Sequence, residues 1–485
     1  ARAVGIVMDV NTGGIVAMAS YPNYDPGDFS TIYTEGLQAE LDAALAEIQQ
    51  NRSTYETEEA YNQALANARA TIQFKQWRNK CYQDTYEPGS TFKPITLATA
   101  LEEGVVDENS TFDCPGYYMV NGVRINCSKV QGHGHQTLAE AVQNSCNPAF
   151  MMIGQRLGAE KFYDYFEAFG MTEVTGIDLP GEEKGQDWGR EYFTSLEGYL
   201  SLATASFGQR FTVTPLQMIT AFSAVINGGN LYQPYVVQSI TDASGAVLQN
   251  TEPTLTRQVV SQESSDRARA ILESVVSEGT GGNAYQAGYR IGGKTGSSET
   301  DEEGRTIVSF MGFAPADDPQ VIVLLAYDKP QEASPGSKYG TTGVYISGGN
   351  MAAPQAGKLI AQILDYMGVE KQYTAEELSG ADVLAPSVTG LSLADAQAKA
   401  EAVGLTVRTV GSGETVTDAG AAVPGGSAVI LYLGGAQPEE TGTMPNIVGL
   451  SYETAKKRLE EAGFFMHAVG TSTFYSNTSK AESQS

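Results

Sequence analysis

The sequence predicts an α/β domain followed by two small α+β repeats. Helical segments alternate with strand-like runs such as residues 321–327 (VIVLLAY) as far as about residue 368. A polar stretch then separates this part from an internal repeat. We place the domain at 1–368, a linker at 369–384, the first repeat at 385–434, a second linker at 435–443 and a shortened second repeat at 444–485.

The domain begins with two strand-like runs, residues 3–10 and 15–18, joined by the turn residues NTGG. A chain that begins inside a strand is more typical of an excised fragment of a longer protein than of the alternative, a natural cytoplasmic start. Apolar residues then recur at helical spacing in two segments, which predicts a charged helical hairpin inserted at about 36–76. Ser53 and Glu56 form a capping-box pattern that predicts the start of its second helix. We expect this insertion to be a solvated surface element.

Composition narrows the functional class. The chain has 30 basic and 57 acidic side chains, a net charge of −27, which repels polyanions and argues against nucleic acid as a partner. No window approaches the run of ~18 apolar residues that a membrane-spanning helix requires.

Four cysteines are too few for a disulfide scaffold, and none occurs in a CxxC pair, so the sequence predicts no metal site. Cys114 and Cys127 flank a predicted hairpin whose turn is Asn121-Gly122. In this hairpin the two cysteines lie on one face at a diagonal, where modest distortion would allow a disulfide. Two free, partly buried thiols remain the equal alternative.

The first candidate catalytic motif is Ser90-x-x-Lys93, directly after a Pro-Gly turn. If a helix begins at Ser90, the two side chains share a face because positions i and i+3 do so. A desolvated lysine with a lowered pKa could accept the serine proton, and the helix N-terminus adds a positive field for an oxyanion. Pro94 is tolerated only near a helix start, which supports this placement.

Two further motifs follow along the chain. Ser145 and Asn147 lie two residues apart after a helical segment, where a hydroxyl could relay a proton and a carboxamide could hold an amide. Residues 294–297 (KTGS) combine Lys294 with two hydroxyls on a glycine-thinned strand, suited to binding a carboxylate. Each motif alone is weak, since a capped helix or an edge strand with a glycine bulge explains it equally well.

Together, Ser-x-x-Lys, Ser-x-Asn and Lys-Thr-Gly occur in the order found in penicillin-binding proteins and class A β-lactamases. The surrounding sequence resembles the class B penicillin-binding proteins over essentially the whole chain. The segments that carry this resemblance are RN (78–79), YEPGS (86–90), GHG (132–134), NSCNPAF (144–150), FGQ (207–209), VTPLQ (213–217) and FMGFAP (310–315). The resemblance implies a mixed antiparallel sheet flanked by helices, as in serine β-lactamases.

The resemblance also implies roles. Ser90 would attack the D-Ala-D-Ala carbonyl of a stem peptide, and Lys93 would be the base. Ser145 and Lys294 would relay the proton to the departing amine. Asn147 would hold the stem-peptide amide. The terminal carboxylate of the stem peptide would bind to the hydroxyls of Thr295 and Ser297. Gly296, between them, would let the substrate backbone come close to this strand.

Other residues and partners follow from the same resemblance. The backbone N–H groups of Ser90 and Ser297 would form the oxyanion hole. His133 and His135 lie in a glycine-rich loop, which predicts that they shape the hairpin region rather than do chemistry. No cofactor or metal is implied. The implied partners are peptidoglycan stem peptides, β-lactam antibiotics and a cell-wall glycosyltransferase with other wall-synthesis proteins. The implied location is the extracytoplasmic face of a bacterial membrane, held by an N-terminal anchor outside this sequence.

Three other activities use related motifs. A class A β-lactamase is disfavoured because no glutamate between Asn147 and Lys294 is followed four residues later by asparagine. A D,D-carboxypeptidase, which passes the acyl group to water, stays open. So does a noncatalytic β-lactam sensor, although no signalling module follows the domain.

The C-terminal repeat carries a second resemblance. Six residues recur 59 positions later: Pro386, Gly390, Leu391, Ser392, Ala396 and Gly404 return as Pro445, Gly449, Leu450, Ser451, Ala455 and Gly463. Each unit has a Pro-x-Val/Ile-x-Gly-Leu-Ser lead, an alanine-rich helix and a strand-like run, and resembles a PASTA module. Such modules are associated with peptidoglycan or with packing against a catalytic domain, and a plain spacer is an equal alternative.

Overall fold

A computed structural model describes residues 2–299, 306–374, 382–383, 386–419, 423–424, 428–435, 445–447, 450 and 452–461. The chain divides into two compact units, residues 1–369 and 370–485. The helices of the first unit are Glu35–Gln50, Glu58–Trp77, Lys93–Glu102, Leu138–Gln143, Asn147–Leu157, Ala159–Ala168, Arg190–Phe193, Tyr199–Ala205, Pro215–Ile226, Gln262–Ser277 and Ala353–Met367. Its strands are Arg2–Asp9, Ile15–Tyr21, Thr111–Cys114, Tyr117–Val120, Val123–Asn126, Gly134–Thr137, Asn230–Tyr232, Ser239–Thr241, Val247–Asn250, Leu255–Gln258, Gly292–Glu299, Thr306–Ala314 and Val321–Asp328.

A five-stranded antiparallel sheet organises the first unit. Its order across the sheet is Gly292–Glu299, Thr306–Ala314, Val321–Asp328, Arg2–Asp9 and Ile15–Tyr21. The first strand of the chain therefore lies next to one more than 300 positions away. The predicted antiparallel sheet with flanking helices is confirmed.

Both faces of the central strands are buried, which explains why residues 321–327 form an uninterrupted apolar run. Ile322 and Leu324 belong to the larger core, which includes the helix Pro215–Ile226. Val321 and Val323 belong to a second core under the helix Ala353–Met367. Side chains alternate between the faces of a strand, so a strand between two helical layers has no polar side.

The predicted helical insertion is present as the helices Glu35–Gln50 and Glu58–Trp77, which are mostly exposed. The capping prediction at Ser53 was wrong. Ser53 lies in a short 3₁₀ turn, and the second helix is capped by the Thr57 hydroxyl, which accepts from the Ala60 N–H at 3.1 Å. Two acidic residues follow Thr57 in the first turn, where the helix dipole favours them. A helix start at Thr57 is therefore more favourable than one at Ser53.

The second unit contains the predicted α+β element. The helix Leu393–Ala402 packs on a sheet in which the strand Ala428–Leu433 lies between Thr406–Gly411, parallel, and Val416–Ala419, antiparallel. The same unit has a second, two-stranded antiparallel sheet, in which Asp382–Val383 pairs with Val423–Pro424. Of the second repeat the structure describes the helix Tyr452–Glu461 and a small apolar cluster around Ile447. The predicted strand at 464–466 and residues 436–443 of the second linker lie outside the described residues.

Among the described residues, no helix combines the length and apolar character required to cross a bilayer.

Candidate active site

Ser90 lies in a single 3₁₀ turn, Gly89–Phe92, that runs directly into the helix Lys93–Glu102. The Lys93 N–H donates to the Ser90 carbonyl, and Pro94 lies in the first turn, where its missing N–H leaves no bond unmade. The helix therefore begins three residues later than predicted. The Ser90 turn still lies at the N-terminal, positive end of the helix.

Glycines hold the Ser90 turn in place. Gly89 has φ of +55° and donates its N–H to the Gly208 carbonyl at 2.8 Å. A Cβ at Gly208 would lie 1.9 Å from the Gly89 carbonyl oxygen, and one at Gly89 would lie 3.2 Å from the Ser297 carbonyl oxygen. The FGQ and KTGS segments thus pack against the nucleophile turn through backbone contacts that leave no room for side chains.

Lys93 is completely buried, and its amine contacts the second motif. Its Nζ donates to the Ser145 carbonyl at 2.6 Å and to Asn147 Oδ1 at 2.8 Å, and lies 3.1 Å from Ser145 Oγ. The Phe150 ring centroid lies 5.2 Å away. Burial lowers the pKa of Lys93 to about 7, because removing an ammonium from water favours its neutral form.

Ser145 occupies a conformation that serine rarely adopts, with φ of +53°. The preceding helix fixes it: the Ser145 N–H bonds the Val142 carbonyl at 3.0 Å and the Cys146 N–H bonds the Ala141 carbonyl at 2.9 Å. Cys146 then occupies the N-cap position of the helix that begins at Asn147, without a capping hydrogen bond from its side chain. This reversal between two helices turns the Ser145 carbonyl and hydroxyl and the Asn147 carboxamide toward one lysine.

Lys294 completes the polar cluster from the edge strand of the sheet. Its side chain is completely buried, and its Nζ donates to Ser145 Oγ at 2.9 Å and to the Thr295 carbonyl at 3.1 Å. Burial and the nearby Lys93 charge hold the pKa of Lys294 well below its ordinary value. Gly296 allows the strand to approach, since a Cβ there would lie 2.9 Å from Thr91 Cγ2.

The predicted carboxylate-binding hydroxyls lie on the same strand. Thr295 Oγ1 lies 3.1 Å from Thr280 Oγ1, and Ser297 Oγ accepts from the Gly348 N–H at 3.4 Å. Sequence reasoning missed Thr280, which lies three residues after the helix Gln262–Ser277, in the segment GTGG (279–282). No local pattern connects it to Thr295, because the contact exists only in the folded chain.

A cleft of about 950 Å³ opens beside these residues. Asn147 and Ser297 line it, together with the basic side chains Arg124, Arg210, Lys329 and Lys338 and the acidic Glu332. Four basic residues against one acidic residue make this a cationic cleft in a chain of net charge −27. Such a cleft favours an anionic substrate.

The three motifs therefore converge. Lys93, Ser145, Asn147 and Lys294 are joined by direct hydrogen bonds, and the turn that carries Ser90 packs against the strand that carries Ser297. His135 pairs with Asp113 at 2.9 Å on the surface, and His133 Nδ1 lies 3.5 Å from the Cys127 sulfur.

The hairpin Tyr117–Val120 with Val123–Asn126 is as predicted, with Asn121 and Gly122 at its turn. All four cysteines are free and buried. This outcome is the second of the two alternatives left open by the sequence.

Comparison with known families gives two matches. Residues 3–343 match the penicillin binding protein transpeptidase domain, and residues 383–435 match the PASTA domain.

Comparison with known proteins gives relatives in several bacteria. Stage V sporulation protein D of Bacillus subtilis is 37% identical over 448 residues, covering 89% of this chain and 60% of that protein. Peptidoglycan D,D-transpeptidase FtsI of Escherichia coli is 28% identical, covering 75% of this chain and 51% of that protein. The chain thus spans between half and two thirds of the length of these two relatives. The crystal structure of the D,D-transpeptidase domain of a peptidoglycan glycosyltransferase from Eggerthella lenta matches with a TM-score of 0.59 and 28% identity, covering 76% of this chain and 79% of that one.

Proposed function

The chain belongs to the penicillin-binding protein transpeptidase family, and from this premise we propose that it is a peptidoglycan D,D-transpeptidase acting through a Ser90 acyl-enzyme. The observation that carries the proposal is the Ser145 hydroxyl, which lies within hydrogen-bond distance of two buried lysine amines. This arrangement provides a base, Lys93, and a proton relay, Ser145 with Lys294, next to the Ser90 turn.

In the acylation step, Ser90 Oγ attacks the carbonyl carbon of the penultimate D-alanine of a donor stem peptide. The serine proton passes to the neutral Lys93 amine, which its lowered pKa makes available at neutral pH. As the peptide bond breaks, a proton reaches the departing D-alanine nitrogen through the Ser145 hydroxyl, which Lys294 holds in position. The products are an ester on Ser90 and free D-alanine.

In the second step, an amine of a neighbouring stem peptide attacks the Ser90 ester. The amine loses a proton along the same path, the C–O bond to Ser90 breaks, and the serine regains its proton. The result is a new peptide cross-link and the free enzyme. The acyl group and the protons balance without a cofactor.

Binding groups surround this path. The Asn147 side chain reaches both Lys93 and the cleft, which suits it to hold the stem-peptide amide. Thr295 and Ser297 would bind the terminal carboxylate, in agreement with the basic cleft. The backbone N–H groups of Ser90 and Ser297 would form the oxyanion hole, and the close approach of Gly89 to Ser297 supports this. Losing one such donor typically costs ~10²- to 10³-fold in rate.

β-Lactams mimic the acylating dipeptide and would acylate the same serine. We place the protein at the extracytoplasmic face of a bacterial membrane, where peptidoglycan is assembled, held by a segment outside this sequence. A cell-wall glycosyltransferase is the partner that this chemistry requires, since it supplies the glycan strands to be cross-linked. The PASTA repeats would lie on the same side of the membrane.

The test uses a fluorescent penicillin and intact-protein mass spectrometry. We expect one adduct per chain, located on the peptide that contains Ser90, and no labelling of Ser90→Ala. Ser53→Ala, which changes an exposed serine of the helical insertion, is the matched control and should label normally. Undiminished labelling of Ser90→Ala contradicts the assignment.

A second assay separates the related activities. With donor and acceptor stem peptides, a transpeptidase produces cross-linked dimers, whereas a carboxypeptidase produces shortened monomers. Penicillin labelling without either product would favour the β-lactam sensor.

A further inference from the structure

Three cysteines and a histidine converge beside the Ser145-Asn147 turn, although they are scattered in sequence. They are Cys114, Cys127, His133 and Cys146, and their sulfur and ring nitrogen atoms all lie within 4.8 Å of one another. The three cysteines are at most 3% exposed, and none is in a disulfide. The transpeptidase mechanism uses none of these four side chains.

We propose that these four residues bind one Zn²⁺ in a structural Cys₃His site. A tetrahedral zinc with Zn–S bonds of about 2.3 Å and a Zn–N bond of about 2.0 Å requires sulfurs about 3.8 Å apart and sulfur to nitrogen about 3.5 Å. Cys127 Sγ lies 3.5 Å from His133 Nδ1, and the remaining ligand atoms fall within the same small volume. Structural zinc sites are closed by four protein ligands, and this cluster supplies four.

The surroundings of the sulfurs fit zinc-bound thiolates. The backbone N–H groups of Lys129 and Asn147 face the Cys127 sulfur, and the Ala149 N–H faces that of Cys146. The hydrogen bonds that orient metal ligands are of this kind, because a thiolate accepts N–H groups that a thiol accepts weakly.

Gln136 gives an independent indication. Its side chain is 2% exposed, and its Nε2 has no hydrogen-bond partner among nitrogen and oxygen atoms of the described residues. Its Oε1 accepts from Asn144 at 3.1 Å, which directs the NH₂ group away from Asn144 and toward the Cys146 sulfur. A buried N–H without an acceptor is costly. A zinc thiolate at Cys146 would supply the acceptor.

Binding would release three thiol protons to solvent and leave a Zn(Cys)₃His group of net charge −1. The ion would join the strand end at Cys114, the loop 127–133 after the hairpin, and the turn that carries Ser145 and Asn147. A free energy of binding to the folded state adds to its stability. The ion would therefore stabilise the Ser145-Asn147 turn, and the proposal stands whether or not the transpeptidase assignment does.

The experiment uses the whole 485-residue chain, reduced, stripped with a chelator and then titrated with zinc alone. We expect one zinc per chain to survive gel filtration, and cobalt in its place to produce a thiolate-to-cobalt charge-transfer band with tetrahedral d–d bands. Added zinc should raise the melting temperature. Cys114→Ser and His133→Ala should each weaken zinc binding by ~10²-fold or more.

Cys81→Ser is the matched control, because Cys81 is also buried and free but its sulfur faces the Ala19 carbonyl, outside the cluster. It should retain zinc. His133 is only partly buried, so its alanine variant tests the site without removing a core side chain. Three results would overturn the proposal: no zinc retained by the reduced chain, equal retention by the Cys114 and His133 variants, or a native mass lower by two hydrogens with a disulfide between two cluster cysteines.

Discussion

Lys93 and Lys294 are both completely buried and share one hydroxyl, since Ser145 Oγ lies 3.1 Å from Lys93 Nζ and 2.9 Å from Lys294 Nζ. Two ammonium groups so close in a dry site repel each other, and each loses the hydration that stabilises its charge. The pair therefore favours a state with at least one neutral amine. A neutral amine next to a hydroxyl that can pass a proton is what acyl transfer at a serine requires.

The first prediction concerns pH. The pKa of Lys93 is lowered to about 7 by burial, and the neutral amine is the form that accepts the Ser90 proton. Below this pKa the amine is protonated and inactive, so the rate of penicillin acylation should rise with pH, reach half its maximum near pH 7 and level off above it. Stopped-flow fluorescence with a labelled penicillin measures this profile.

Lys93→Arg should slow acylation ~10²- to 10⁴-fold and abolish the inflection, because guanidinium does not lose its proton in this range. Lys161→Arg, at a surface salt bridge with Glu103, is the matched control and should keep the profile. The wild-type rate is measured from two pH units below the pKa to two pH units above it. A rate that stays constant or decreases with rising pH over this range would contradict the role of Lys93.

The second prediction concerns the relay. Ser145→Ala and Lys294→Met should each slow acylation by ~10²-fold or more. Because Lys294 acts through the Ser145 hydroxyl, the double variant should be little worse than either single one. Second-order acylation rates of the four proteins provide the cycle, and melting temperatures identify any loss of fold. Additive losses would mean that Lys294 acts independently of Ser145.

The third prediction concerns the glycine behind the nucleophile. Gly208 has φ of +88°, and a Cβ there would lie 1.9 Å from the Gly89 carbonyl oxygen. Gly208→Ala should displace the Ser90 turn and reduce penicillin acylation at least ~10²-fold, because reacting groups displaced by about 1 Å lose that much.

Gly104 provides the control for that substitution. It has φ of +63°, but nothing lies within 4 Å of an added Cβ. Gly104→Ala should therefore cost only the backbone penalty of about 1–2 kcal/mol and leave acylation unchanged in the folded protein. Equal activity losses in the two variants would show that backbone strain, and not the contact with Gly89, is responsible.

The fourth prediction separates scaffold from site within the VTPLQ segment. Gln217 is 1% exposed; its Oε1 accepts from the N–H groups of Thr214 at 2.9 Å and Gly185 at 3.2 Å, and its Nε2 donates to the Glu173 carbonyl at 2.8 Å. Gln217→Leu leaves these buried groups unpaired, so we expect a loss of about 2–4 kcal/mol of unfolding free energy.

Chemical denaturation measures that loss. Gln38→Leu, at an exposed glutamine whose side-chain amide donates to Asp42 in the same helix, should change the stability by less than about 0.5 kcal/mol. The folded fraction of the Gln217→Leu protein should react with penicillin at the wild-type rate. A stable variant with impaired acylation would instead assign Gln217 to the site.

The sequence by itself was sufficient for the fold class, the repeat and the identity of the main polar groups. Period and turn chemistry are local, so the apolar run at 321–327, the Asn121-Gly122 hairpin and the lysines of both motifs were visible without coordinates. Where two local signals competed, as at Ser53 and Thr57, the pattern misplaced the helix start, because both residues can cap a helix.

Only the tertiary structure decided which distant groups meet. It placed Thr280 against Thr295, gave Ser145 its left-handed backbone and brought Cys114, Cys127, His133 and Cys146 into one cluster. None of these leaves a pattern along the chain, because each contact depends on how the helices pack against the sheet and on the loops between them. The pKa of Lys93 has the same origin, since burial is a property of the folded molecule and not of the four-residue motif.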